Sequence, residues 1–196
     1  MDVVMGLARL FDFYHENNFP SYFSALLLLG AAALLVMIGT SGVAEFRRYR
    51  FHWVVLGIVF AFLSCDELLA LHERLMLPTR QSLHTTGLLY AAWIIPYGTA
   101  VLALAVVYIR WFFSLRVETR WRFLVAGVLF VMGAIVLEAV SGAEWELHRT
   151  RTLALDACIF LEDAFEMAGV IVFIHALLLE MARAGLRLEF AGAARD

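Results

Sequence analysis

Eight residues in this chain combine the right types and spacing for chemistry: Asp66, Glu67, His72, Glu73, Glu138, Glu162, Asp163 and Glu166. Carboxylates joined by one His suit iron, zinc or manganese, and bundles that draw Glu and His from several helices are how di-metal carboxylate sites are built. On that reading Glu138, Glu162 and Glu166 are bridging or terminal ligands of a divalent ion. Asp66 or Glu67, with His72, completes the set. The usual Glu-x-x-His pair is absent, since Leu69 stands three before His72. No HExxH or HxxxH appears either. Two other readings use the same acids. They could change protonation along a proton or cation path, or they could hold helices together in a structural subunit of a larger membrane complex.

The elements that carry these residues are apolar. Of 196 residues, 63% are hydrophobic, against about 45–50% in soluble domains, which excludes an ordinary soluble enzyme. Apolar blocks at about 22–43, 53–71, 86–113, 123–140 and 153–181 are each near the roughly 20 residues needed to cross a bilayer. The expected architecture is all-α: a single domain over 1–196, an integral membrane bundle of five transmembrane helices. A short amphipathic helix at 1–18, with Val3, Leu7, Leu10, Phe11 and Tyr14 at helical spacing, should lie in the interface ahead of it. It lacks the basic start and cleavage site of a secretory signal, so its retention is expected.

All 15 basic side chains are arginines, and the net charge is −3. Ten of them cluster after the first, third and fifth spans, which by the positive-inside rule puts the N-terminus outside and the C-terminus in the cytoplasm. Trp53, Trp111 and Trp121 then mark the inner interface, and Tyr22 and Trp145 the outer one. Ten arginines face five acids inside, and five arginines face thirteen acids outside.

On this topology Asp66 lies roughly 20 Å above Trp53 and Glu138 about 22 Å above Phe123. Glu162, Asp163 and Glu166 sit roughly 13–20 Å below the outer surface. Three spans thus bring acids to one depth. Cys158, Glu162, Glu166 and Gly169 form one stripe, and Ala134, Glu138 and Ser141 another, both pairing small residues with acids. In the second span Asp66 and Glu73 share a face, with His72 about 240° away. Ionised and unpaired, the six deepest carboxylates would cost on the order of 15–20 kcal/mol, more than the roughly 5–15 kcal/mol that holds a typical domain together. They must be protonated, wetted, bound to a cation, or paired with Arg74, Arg149 or Arg151.

Other residues take plainer readings. Glu144, Glu146 and His148 read as solvated loop residues, and Pro96 as a kink in the third span. Gly87, Ala91, Gly98 and Ala105 read as a packing stripe in that span. His72 and His175 lie in opposite halves, so no haem is expected. No phosphate loop or nucleic-acid patch is present; the expected partners are the lipid bilayer and another copy of the chain or a membrane complex.

Four segments, FLSCDELLALHE, WIIPYGTA, GVLFVMGAIVLEAVSG and LEDAFEMAGVIVFIHALL, together resemble a group of small, uncharacterised bacterial polytopic inner-membrane proteins. That group has a DExxxxHE segment and a later acidic pair followed by Glu-Met-x-Gly. The resemblance implies a bacterial cytoplasmic-membrane protein and marks the same eight residues. Ser64, Asp66 and His72 also resemble, more distantly, the zinc-dependent ceramidase and receptor-like membrane hydrolases. The chain lacks the later His pair of that class and is two spans short of it.

Overall fold

The computed structural model describes residues 11–12 and 18–186, and the expected interfacial helix lies almost wholly outside the described residues. All regular structure among the described residues is helical. Asn18 starts the first long helix, α1 (Phe19–Thr40): its side chain accepts from the Ser21 N–H at 2.8 Å, and Pro20 occupies the first turn where no N–H is needed. Residues Ala25, Leu28, Ala32 and Leu35 recur at three- and four-residue steps and form its buried stripe. A single turn, α2 (Ala44–Arg47), leads into α3 (Arg50–Leu69), and then come α4 (Leu71–Leu83) and a 3₁₀ turn at Gly87–Leu89. α5 (Ile94–Ser114) follows, then α6 (Val117–Val131), a π-helical turn (Met132–Leu137) and α7 (Glu138–His148), which run as one continuous rod. α8 (Leu153–Arg183) closes the bundle.

Among the described residues four helices are long and apolar enough to cross a membrane: α1, α3, α5 and the rod 117–148. The fifth expected span, α8, forms as a 31-residue helix but is not among them; Glu162, Asp163 and Glu166 fall within one and a half turns of it.

Two boundaries differ from expectation. The second span ends at Ala70, whose backbone is left-handed (φ 49°), so His72 and Glu73 belong to a separate helix. The third starts at Ile94 rather than near 86. Pro96 therefore stands in the first turn of α5, where its missing N–H costs nothing, and is not an interior kink. Of the expected small-residue stripe, Ala91 is buried and lies close against Gly142, but a Cβ added at Gly98 in α5 would meet nothing within 4 Å.

The closest backbone packing joins α1 to α3, α6 and the π turn to α8, and α1 to α8. Two glycines make the α6–α8 crossing possible. A Cβ on Gly169 would come within 2.7 Å of the Phe130 nitrogen, and one on Gly133 within 2.6 Å of the Glu162 carbonyl oxygen. At the arginine-rich end the core is aromatic. Trp53 and Trp111 meet edge to face at 4.9 Å, and Phe123 packs on Phe173 at 4.7 Å. Trp53 and Trp111 are 1% and 4% exposed, so they belong to this core rather than to an interfacial belt, whereas Trp121 is 64% exposed. Beside them the buried Glu180 accepts from Thr119 Oγ1 at 2.7 Å and from Arg183, which also reaches Glu45 at 2.8 Å. That network ties α2, α6 and α8 together.

α5 has no comparably close backbone neighbour among the described residues. It is seated at its ends, by Ile94 at one and by Tyr108 and Trp111 at the other, all buried. The space behind its middle is open.

Candidate functional site

That space is a chamber of about 1140 Å³, and all eight sequence-selected residues line it. They come from four elements: Asp66 and Glu67 from the end of α3, His72 and Glu73 from the start of α4, Glu138 from α7, and Glu162, Asp163 and Glu166 from α8. The volume exceeds the roughly 300–1000 Å³ of ordinary small-molecule pockets.

Asp66 is the most fully engaged of the eight. Its side chain is buried, and the Tyr97 hydroxyl donates to Oδ1 at 2.9 Å. The backbone N–H of His72 donates to the same oxygen at 2.9 Å, and His72 Nδ1 lies 3.2 Å from Oδ2. The left-handed step at Ala70 produces this geometry. In a continuous helix His72 would point about 240° away; the break turns α4 so that its first N–H groups, unsatisfied within any helix, face the Asp66 carboxylate. The helical-phase expectation for the second span is corrected on this point.

The π turn does similar work on the other side. Residues 133 and 138 would be about 140° apart on a straight α-helix, but an i→i+5 turn brings them toward one face. Gly133 thereby meets α8, and Glu138 reaches the chamber. Trp93 Nε1–H donates to Glu138 Oε1 at 3.1 Å, and Ser141 Oγ lies 3.3 Å from Glu162 Oε2. Ala134, Glu138 and Ser141 of one expected stripe line the chamber, as do Glu162, Glu166 and Gly169 of the other, while its fourth member, Cys158, does not.

Expected arginine partners are placed elsewhere. Arg149 donates to the Tyr90 hydroxyl at 2.9 Å and to the Glu146 carbonyl. Arg151 bridges Asp12 (2.9 Å) and Asp156 (2.7 Å), and these two acceptors raise its basicity above the ordinary arginine value. Glu144, Glu146 and His148 are not loop residues: they sit in the last turns of α7. There Glu144 accepts from Thr152 Oγ1 at 2.9 Å, and Glu146 accepts from the Gly87 N–H. Cys65 and Cys158 are free thiols.

Trp93 and Tyr97 were missed as site residues. They stand four apart at the start of α5, with rings at 5.1 Å in edge-to-face contact, and His72 packs on Trp93 at 4.8 Å. The available signal was the i, i+4 spacing of two amphipathic aromatics.

Away from this polar end the lining turns apolar. Leu56, Phe60, Phe112, Phe123, Val170 and Phe173 form the far part of the chamber. Ile58 and Phe62 on α3 and Val101 on α5 line the chamber while being 60%, 49% and 42% exposed. The chamber therefore opens sideways, between α3 and α5, through an apolar slot.

Among the described residues no group of three or more His, Cys, Asp or Glu side chains is arranged to hold a metal ion. Asp66 is committed to His72 and Tyr97, and one oxygen of Glu138 to Trp93.

The chain belongs to the family described as a domain of unknown function (DUF8692), which matches residues 1–181. No curated protein and no solved structure matches it.

Proposed function

We propose that this member of a family of unknown function is a bacterial inner-membrane protein whose five helices enclose a binding or reaction chamber for a lipid-soluble amphiphile. The hydrocarbon part lies among Phe60, Phe123, Val170 and Phe173. The polar head lies against the carboxyl and histidine end, which favours a head that is cationic or rich in hydrogen-bond donors. The observation that carries this reading is the division of a single chamber into an aromatic, aliphatic part that opens sideways at apolar residues and a part lined by seven carboxyl side chains and His72.

α8 is the fifth span on this account. Its 31 residues reach about 46 Å, and its acids point into the chamber rather than at lipid, which removes the objection to their depth. The arginine-rich end faces the cytoplasm, and the acids occupy the outer half. His72, oriented by Asp66, supports acid–base work on a bound head.

A second occupant of the polar end is a divalent ion of iron, zinc or manganese. Glu67, Glu138, Glu162, Asp163 and Glu166 all line that end, and a cation held by Glu138, Glu162 and Glu166 would offset their charge. A transmembrane proton or cation path has less support, because the chamber floor is apolar and the exposed His175 does not line it.

A chain-matched series tests the reading in lipid nanodiscs. Dodecylamine should bind saturably near one equivalent and at least about tenfold more tightly than dodecanoate, with dodecanol between them. The double substitution Glu162→Gln, Glu166→Gln should erase the preference for the amine. Equal binding of all three, or none, sinks the head-group assignment. Elemental analysis of the same preparation decides the ion: sub-stoichiometric iron, zinc and manganese would eliminate it.

A further inference from the structure

We propose that α4 is a hinged lid over the carboxyl end of the chamber, turning on Ala70 and His84 and held shut by two polar catches. The inference rests on the chamber reading for its purpose and on backbone geometry for its mechanics.

Both residues that bound α4 are left-handed and neither is glycine: Ala70 has φ 49° and ψ 47°, His84 φ 51° and ψ 43°. For L-residues with a Cβ this conformation is disfavoured, so the contacts made by α4 in this position must offset its cost. No residue of α4 is buried. Leu75, Leu77 and Leu83 are 41%, 59% and 54% exposed. A helix without buried side chains contributes little to the bundle core and belongs to the segments that open at low free energy.

Polar contacts hold it near its ends, and between them Met76 packs on the buried cluster of Ala91, Trp93 and Ile94. At the N-terminal end Asp66 accepts from the His72 N–H at 2.9 Å, with Nδ1 of the ring 3.2 Å from the other oxygen. At the C-terminal end Arg80 donates through Nε and Nη2 to the Tyr90 carbonyl at 3.0 and 2.6 Å, and its guanidinium stacks 3.6 Å from the centre of the Tyr90 ring. Between these catches Met76 faces the chamber, as do His72 and Arg80 themselves. Opening α4 would therefore uncover the polar end to water while the sideways slot stays as it is. Head groups would exchange through the lid and tails through the slot.

Arg80 is the catch that can be released without touching the carboxyl cluster. Spin labels at Leu77→Cys on the lid and Val140→Cys on α7, in a Cys65→Ser, Cys158→Ser background in nanodiscs, read the lid directly by pulsed dipolar spectroscopy. The parent should give a dominant short distance with a minor longer one. Arg80→Ala should raise the longer population at least fivefold. Ala70→Val should do the same by a different route, since a β-branched residue tolerates left-handed backbone poorly. Bound dodecylamine should dissociate about tenfold faster from the Arg80→Ala protein. Failure of dodecylamine to bind would remove the chamber reading and leave the distances to judge the lid. One narrow distance, identical in the parent and both variants, would overturn the lid whatever binds.

Discussion

Gly133→Val should unfold the bundle or leave it on the order of 3 kcal/mol less stable. The first added carbon alone would stand 2.6 Å from the Glu162 carbonyl oxygen, 2.7 Å from Glu166 Cγ and 3.0 Å from the Glu166 nitrogen. Two of those three atoms are backbone of a long helix, which cannot yield as a side-chain tip can. Overpacking of this kind typically costs about 1–3 kcal/mol; here it also pushes α8 from the π turn and pulls the Glu162 and Glu138 carboxyls apart. Gly98→Ala is the matched control. Nothing lies within 4 Å of the added methyl, and alanine in a helix interior gains roughly 0.5–1 kcal/mol over glycine. Thermal unfolding in one detergent separates the two. A Gly133→Val protein as stable as the parent would mean that the α6–α8 crossing is not drawn correctly.

Asp66→Ala should cost about 3–5 kcal/mol, the range for removing one partner from a buried charged network. The loss leaves the Tyr97 hydroxyl and the His72 N–H and ring without their acceptor, and each buried orphan is worth about 1–3 kcal/mol. Asp66→Asn keeps one carbonyl oxygen and should cost less than half as much. Since Asp66 also catches the lid, the alanine variant should expose His72 to diethyl pyrocarbonate faster than the parent. A loss below about 1 kcal/mol with unchanged His72 reactivity would show that Asp66 is an incidental neighbour.

Much of the site was legible before the fold was known. Apolar block lengths located α1 and α8 to within a few residues. Counting rise per residue put Asp66, Glu138 and the α8 acids at one depth, and one chamber does take them all. The small-residue stripes through Glu138 and Glu162 pointed inward because close helix approach in lipid needs small side chains, and Gly169 does meet Phe130. What escaped was backbone conformation that hydropathy does not encode. Nothing in Leu69-Ala70-Leu71 marks a break, because alanine is the strongest helix former; the left-handed turn is fixed by Asp66 receiving the N-terminus of α4. The π turn is likewise invisible in an unbroken apolar run, and with it the role of Gly133. Trp53 and Trp111 were assigned to an interface by residue type, when the neighbouring Phe123 and Tyr108 draw them into the core. The burial of Glu180 was not legible either, since its partner Thr119 is 61 residues away.

The central claim is that an amphiphile sits in this chamber with its tail among the aromatics, and photolabelling tests it most directly. A twelve-carbon amine bearing a diazirine at its far end, irradiated with the protein in nanodiscs, should label Phe123, Val170 or Phe173. Excess dodecylamine should suppress that labelling, and Ala134→Phe, which narrows the chamber, should reduce it several-fold. Label confined to outward-facing residues such as Leu102 and Val106, and indifferent to competitor, would contradict the account.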